Sequence, residues 1–222
     1  MKRPSPFLLA GLALLGLHAP APAQYGDISG LKLLKPEDAQ DVKPAPPPEG
    51  AIVLFDGKSL DAWQHQGGKK PAHWKLTGDG AMQVAPGGGL VTKQKFAGPF
   101  KLHVEFRVPY EPDKKGQGRG NSGVYVQGRY EVQVLDSYGL DSQNNDCGAI
   151  YEVAKPLVNA CKAPTVWQSY DIEFHPPKCE NGKKVEPARM TVYHNGVKIH
   201  DDVKIPTDNT RAGLGGDPCT PG

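Results

Sequence analysis

Two segments of the chain alternate ionisable side chains in a pattern that could hold a metal ion. The segment WQSYDIEFH places Asp171, Glu173 and His175 two residues apart. Neighbouring residues of a β-strand point to opposite sides, so these three side chains would share one face. Carboxylate and imidazole groups bind divalent cations, and His103 with Glu105 repeats the pattern in KLHVEFRV. The sequence predicts a divalent metal of unknown identity here, with ordinary solvated polar residues as the alternative.

Two further segments carry amide, aromatic and acidic side chains on one side of a predicted strand. In NSGVYVQ the valines face one way, and Asn121, Tyr125 and Gln127 face the other. In YEVQVLD the polar face carries Glu131 and Gln133. The polar faces of the first two segments add two larger side chains, Arg107 and Trp167. Solvated sheet faces are usually rich in Lys, Ser and Thr, so this mixture favours a functional face over a merely solvated one.

The elements that must position these residues are strands. After residue 50, short alternating runs are separated by Gly, Pro, Asn and Asp, which is typical of a β-sandwich or barrel. The dipeptide Asn195-Gly196 between two such runs predicts a two-residue hairpin turn.

The N-terminal part reads as an export signal followed by a linker. Lys2 and Arg3 precede an apolar run over residues 7–17 and small residues at 21–23. This order predicts a signal peptide over 1–23, cleaved after Ala23, and therefore a periplasmic or secreted protein. Proline-rich residues 24–49 are expected to be a semi-rigid, unpacked linker, and residues 50–222 a single domain.

Charge and hydropathy exclude some partners. Loss of two cations with the signal would leave 24 Lys and Arg against 24 Asp and Glu. A neutral chain offers no electrostatic case for nucleic acid, and no other stretch predicts membrane insertion. No coiled coil or large apolar stretch predicts an oligomer, so a monomer is expected.

The four cysteines, Cys147, Cys161, Cys179 and Cys219, are an even number in a chain predicted to be exported. This predicts disulfides, in any of three pairings. A bond between the nearest pair, Cys147 and Cys161, would close a loop of about 15 residues and contribute roughly 3 kcal/mol. A zinc site is the alternative, although no Cys-x-x-Cys spacing supports it.

Three strings together resemble the 3-keto-disaccharide hydrolase family, whose members are also described as 3-keto-glucoside lyases and 2-hydroxy-glucal hydratases. The strings are LFDGKSLDAW, GNSGVYVQGRYEVQVLD and WQSYDIEFH, and the resemblance extends over residues 50 to about 217. It implies a concanavalin A-like jelly roll, two antiparallel sheets with a sugar site on the concave face. Family members usually continue past a GGDP-like segment into one more strand, whereas this chain stops at Gly222. An edge strand is therefore expected to be missing, or the domain to close differently.

The resemblance implies cleavage of 3-keto-glycosides by removal of the carbon-2 proton, elimination of the carbon-1 group and rehydration. Glu131 is the expected base, with Gln133 orienting a hydroxyl and Arg107 able to polarise the ketone. An ion pair of Glu131 with Arg129 or Arg107 is the structural alternative. Asn121 and Gln127 would bind the sugar, and Tyr125 and Trp167 would stack on it; a turn role for Asn121 and simple packing for the aromatic rings stay open.

Two other functions stay open at this point. One is a non-catalytic glycan-binding module, because the fold alone does not settle function. The other is an ordinary two-carboxylate glycosidase. An amide at Gln133, where a second acid would be expected, argues against the second.

Overall fold

The computed structural model describes residues 25–222, and the predicted signal peptide lies outside them. Within these residues the chain forms twelve strands and two short 3-10 helices, Pro36–Ala39 and Gly116–Gly118. The strands are β1 (Trp63–His65), β2 (Lys75–Leu76), β3 (Met82–Gln83), β4 (Leu90–Thr92), β5 (Phe100–Phe106), β6 (Ser122–Val126), β7 (Tyr130–Val134), β8 (Gln168–His175), β9 (Lys178–Glu180), β10 (Lys183–Glu186), β11 (Ala188–His194) and β12 (Val197–Ile205). No helix among residues 25–222 has the length and apolar content needed to cross a membrane.

The largest sheet is antiparallel and has the strand order β12-β11-β8-β5. Alternation along β8 buries Tyr170, Ile172 and Phe174 on one side and leaves Asp171 and Glu173 on the other. The turn between β11 and β12 is the predicted Asn195-Gly196 pair, and both residues have positive φ, 53° and 79°. These are the conformations that a type I′ hairpin turn requires.

The hairpin of β6 and β7 forms the opposite layer of the core. Tyr130 packs against Phe174 with ring centroids 5.6 Å apart, and the Tyr170 hydroxyl donates a hydrogen bond to the Gln133 carbonyl at 2.7 Å. Val132 lies in the same core cluster as Ile172. The expected all-β architecture of packed antiparallel sheets is confirmed, and every residue of β7 is buried.

The segment predicted to be an unpacked linker lies against the domain. Ile28, Leu31 and Leu33 pack on a small apolar cluster that contains Tyr138. The Tyr138 hydroxyl donates to Asp38 at 2.8 Å. The expectation of an unpacked linker is therefore wrong for these residues, because their spaced apolar side chains find a buried partner despite the surrounding prolines.

The last residues run beside Phe96 rather than forming a further strand. Phe96 N donates to the Gly222 carbonyl at 2.8 Å, and a disulfide joins Cys219 to Cys179. That bond confirms one half of the disulfide prediction. The other half is wrong in this structure, because Cys147 and Cys161 are free thiols. Their sulfurs lie side by side without a bond, and the Cys147 sulfur instead contacts the Tyr170 hydroxyl at 3.1 Å.

Candidate active site

The face of the β6–β7 hairpin that points away from the core holds a buried carboxyl group. Glu131 on β7 is only 3% exposed, whereas Tyr125, its direct partner in the β6–β7 register, is 37% exposed. The Tyr125 hydroxyl lies close enough to the Glu131 carboxyl group to favour its ionised form. The second oxygen, Oε2, is buried and has no hydrogen-bond partner among the described protein groups. A buried carboxyl oxygen without a partner is unusual in a folded protein, and it marks Glu131 as a candidate functional group.

Burial changes the proton affinity of both members of this pair. Burial raises the pKa of the Glu131 carboxyl above its ordinary value, and the hydrogen bond from Tyr125 partly offsets this rise. Burial also raises the pKa of Tyr125 well above its usual value, and the nearby Glu131 adds to that rise. Tyr125 is therefore a protonated donor at ordinary pH, and Glu131 is a stronger base than an exposed glutamate.

A glycine on the neighbouring strand makes room for the carboxyl group. Gly123 pairs with Gln133 in the ladder, and a Cβ atom at this position would sit 3.0 Å from the Glu131 Cδ and in collision with its Oε1. The sequence shows Gly123 only as part of NSG, and its function here depends on the register between the two strands. Only a residue without a side chain lets Glu131 lie flat across β6.

Three amide side chains form a chain of hydrogen bonds beside Glu131 on β7. The Gln133 Nε2 group donates to Gln117 Oε1 at 2.9 Å, and Asn121 Nδ2 donates to the same oxygen at 3.2 Å. Gln117 Nε2 in turn donates to the Asn145 carbonyl at 2.8 Å. Gln117 was not predicted, because an isolated glutamine in a 3-10 helix has no sequence pattern. The network fixes the orientation of Asn121 and Gln133, both of which the sequence selected.

Neither arginine that the sequence offered as an ion-pair partner contacts Glu131. Arg129 donates to Gln127 Oε1 at 3.2 Å and to the Thr220 hydroxyl at 3.1 Å. Arg107 pairs with Asp79 at 2.5 Å. The described contacts of Glu131 therefore do not support the structural alternative in which it only balances an arginine.

The remaining predicted residues divide between two other places. Arg107 stacks between the rings of Tyr25 and Trp167, at 3.8 and 4.7 Å from their centroids. Arg107 comes directly after β5 and Trp167 directly before β8. Their side chains continue the outer face of the large sheet, so the core separates them from Glu131. Gln127 lies in the β6–β7 turn with a φ of 52°, and its Nε2 donates to the Phe96 carbonyl. The strand-face prediction for Gln127 is therefore wrong, because the strand ends at Val126.

The five residues predicted as metal ligands also lie on the outer face of the large sheet. His103 Nδ1 lies 2.6 Å from Asp171, and its Nε2 lies 3.4 Å from Glu105. Glu173 instead pairs with Lys101 at 2.7 Å. The exposed His175 is the last residue of β8. The structure thus brings His103, Glu105 and Asp171 together and keeps all five away from Glu131.

The cluster around His103 gives a prediction for stability against pH. Burial alone would lower the pKa of His103, but the Asp171 and Glu105 carboxylates raise it above 6.5 overall. The resulting stabilisation is complete below the unfolded pKa of 6.5 and is lost as the pH rises through the higher folded pKa. We expect His103→Gln to lower the free energy of unfolding at pH 6 by at most about 1 kcal/mol. The same urea titration at pH 9 should show almost no difference, and an equal loss at both pH values would contradict the ion-pair account.

One cavity of the described residues lies away from the β6–β7 hairpin. It has a volume of about 330 Å³ and is lined by His65, Lys70, Pro71, His73 and Gly87, none of which belongs to β6 or β7. His65 holds its own loop there, with Nε2 bonded to the Gly87 carbonyl and Nδ1 accepting from Gly67 N. Its lining residues include no carboxyl group, so Glu131 remains the better candidate for a general base.

Comparison with a solved structure places the chain in a class of glycosyl hydrolase-like β-sandwich proteins. A crystal structure from Parabacteroides distasonis ATCC 8503, which carries the provisional name of a glycosyl hydrolase, shares 34% sequence identity with a TM-score of 0.67. The match covers 82% of this chain and 86% of that one. At this identity and coverage the two chains share their fold.

The family itself is defined by residues 50–218, which match the model of the 3-keto-alpha-glucoside-1,2-lyase-like domain. The chain therefore belongs to this family. Over 124 residues it is also 30% identical to a 3-keto-disaccharide hydrolase of Bacteroides thetaiotaomicron. That match covers 51% of this chain and 39% of the relative, so this chain spans less than half of the relative's length.

Proposed function

We propose that the chain is an exported enzyme that cleaves 3-keto-glycosides and 3-keto-disaccharides, with Glu131 as the base that removes the carbon-2 proton. The observation that carries this proposal is the buried Glu131 carboxyl group, whose pKa is raised and whose Oε2 has no protein partner. Membership in a 3-keto-glucoside lyase-like family supplies the substrate class.

The chemistry follows from the ketone on carbon 3. It acidifies the hydrogen on carbon 2, and a base can remove this hydrogen as a proton to leave an enolate. The enolate electrons then form a double bond between carbons 1 and 2, and the group on carbon 1 leaves with its bonding pair and takes up a proton. Water next adds its hydroxyl to carbon 1 and a proton to carbon 2, so the net reaction is hydrolysis. A general base and a hydrogen-bond donor to the enolate oxygen are needed.

The described residues offer both groups on one face. While Glu131 is ionised, the single proton of the Tyr125 hydroxyl is shared with its carboxylate. Once Glu131 has accepted the carbon-2 proton, the Tyr125 hydroxyl, kept protonated by its raised pKa, can turn and donate to an oxygen of the substrate. Asn121 is exposed and oriented by Gln117, so its amide oxygen can accept from a sugar hydroxyl. Gln133 is buried with both amide atoms engaged, and its part is to hold Gln117 in place. A divalent metal on His103, Glu105 and Asp171 remains a prediction. It would lie on the outer face of the large sheet, across the core from Glu131.

The test is incubation of purified protein with a matched pair of sugars, 3-keto-trehalose and trehalose. We expect glucose and 3-keto-glucose from 3-keto-trehalose, and no cleavage of trehalose. Cleavage of trehalose at a similar rate would favour an ordinary glycosidase, and binding of either sugar without cleavage would favour a binding module.

Removal of the Tyr125 hydroxyl should shift the pH dependence of this reaction. The ionised Glu131 is the active base, so activity rises with pH through its raised pKa. The Tyr125 hydrogen bond lowers that pKa. In Tyr125→Phe we therefore expect the acidic limb of the kcat/KM profile to move to higher pH. The plateau should fall by about 10²-fold, the lower end of what a positioned acid–base group contributes. An unmoved acidic limb would show that Tyr125 does not act on Glu131.

Export is part of the proposal and has its own support. Cys179 and Cys219 are bonded, and disulfides persist mainly in extracytoplasmic compartments. Fractionation of cells that express the full chain should recover it in the periplasm or medium, shortened at Ala23. Recovery of the full-length chain from the cytoplasm would contradict export.

A further inference from the structure

The two free cysteines and a histidine converge inside the core. The sulfurs of Cys147 and Cys161 and a ring nitrogen of His194 all lie within 4.8 Å of one another, and no other group of three such residues is this close among residues 25–222. All three donor atoms are buried, although Cys161 as a residue is only partly buried. Zinc binds sulfur at about 2.3 Å and imidazole nitrogen at about 2.0–2.1 Å, so ligand atoms that share one ion lie within about 4.6 Å of one another. This limit is close to the 4.8 Å bound on the three donor atoms. We propose that Cys147, Cys161 and His194 bind one zinc ion.

The hydrogen bonds around His194 leave the correct nitrogen free. Gln168 Oε1 accepts from Lys162 N at 2.8 Å, which identifies it as the carbonyl oxygen of the amide. His194 Nε2, 3.0 Å from this oxygen, must therefore donate its proton to it. The lone pair then lies on Nδ1, the nitrogen that faces the Cys147–Gly148 segment, 3.9 Å from an ideal Cβ at Gly148. An imidazole that ligates with one nitrogen and donates to a carbonyl oxygen with the other is the usual arrangement at a zinc site.

Charge balance in the buried site selects a divalent ion. Zinc would displace the two thiol protons to solvent, with no change in oxidation state, and the two thiolates would neutralise its charge. A monovalent soft ion would leave a net negative charge, which is costly at a site where Cys147 is 2% and His194 1% exposed. The three protein ligands leave one tetrahedral position for a small oxygen donor.

The ion would connect loops of the candidate site to the large sheet. Cys147 and Cys161 lie between β7 and β8, and His194 ends β11. The loop of Cys147 also carries Asn145, which accepts from Gln117, and Tyr151, whose N–H donates to the Glu131 carbonyl. Zinc would thus hold in place the backbone that is hydrogen-bonded to Glu131.

The experiment measures zinc in the full chain after mild reduction, incubation with zinc sulfate and dialysis. We expect about one zinc per chain by elemental analysis. Replacement of zinc by Co²⁺ should produce thiolate-to-cobalt charge-transfer absorption. Both signals should fall at least tenfold in Cys147→Ser and in His194→Gln.

Two control variants separate ligation from damage to the fold. His200 is as buried as His194 and bonds to the Gly148 carbonyl at 2.8 Å, but it is not in the cluster. His200→Gln and the double variant Cys179→Ala/Cys219→Ala should keep the cobalt absorption. Absence of zinc and of this absorption in the reduced wild-type chain, or equal signals in all variants, would overturn the proposal. A Cys147–Cys161 disulfide that resists mild reduction would produce the first of these results.

Discussion

Replacement of Glu131 by Gln is expected to lower kcat/KM on a 3-keto-disaccharide by about 10²–10⁴-fold, the range that a positioned base contributes. The substitution keeps the size of the side chain and its contact with Tyr125 but removes the group that accepts the proton. A continuous assay of the released reducing sugar measures the loss. Glu186→Gln, at an exposed position on β10, is the matched control and should keep the activity of the unmodified protein.

The same substitution should not destabilise the fold, and this separates a catalytic from a structural role. A carboxyl group whose pKa is raised in the folded state loses its contribution to stability as the pH rises through that pKa. At pH 8 the amide that replaces the carboxylate carries no buried charge, so the free energy of unfolding should be unchanged or higher. A large loss of stability in Glu131→Gln at pH 8, measured by urea titration, would mean that Glu131 has a structural partner.

Gly123→Ala is expected to have the second largest effect, because it acts on stability and activity together. The new Cβ would collide with Glu131 Oε1 and press on Cδ at 3.0 Å. Insertion of a methyl group into such a packed site typically costs about 1–3 kcal/mol. The carboxyl group must move to relieve the collision, so kcat/KM should fall by about tenfold or more, as misplacement of a catalytic group predicts.

Gly78→Ala is the control for this change. Gly78 lies in the turn between β2 and β3, without a positive φ, and no atom lies within 4 Å of a Cβ built on it. The stability and activity of the Gly78→Ala variant should match those of the unmodified protein. If Gly123→Ala behaves like Gly78→Ala, the carboxyl group does not occupy the position described.

The sequence predicted Glu131 and Gln133 correctly as neighbours on one face, because alternation along a strand is a local property. It could not predict which polar faces meet. His103, Arg107 and Trp167 alternate just as Glu131 does, yet they lie on the far side of the core, since strand order and layer assignment depend on contacts between distant segments. For the same reason the role of Gly123 becomes visible only once its strand is paired with β7.

Other differences have equally particular causes. The prolines of residues 24–49 predicted a free linker, but Ile28, Leu31 and Leu33 supply enough apolar surface to dock. The even cysteine count predicted two bonds, and it could not show that His194, on a distant strand, lies beside Cys147 and Cys161. In both cases the partner is distant in the sequence, so a local pattern carries no trace of it.

The most direct test of Glu131-dependent proton removal is the fate of the carbon-2 hydrogen when a 3-keto-disaccharide is cleaved in D₂O. Elimination and rehydration break the bond from carbon 2 to hydrogen and rebuild it with a solvent deuteron. The early 3-keto product should therefore carry deuterium at carbon 2 by mass spectrometry and NMR, above the exchange seen without enzyme or with Glu131→Gln. Efficient cleavage that leaves the original hydrogen on carbon 2 would contradict the mechanism.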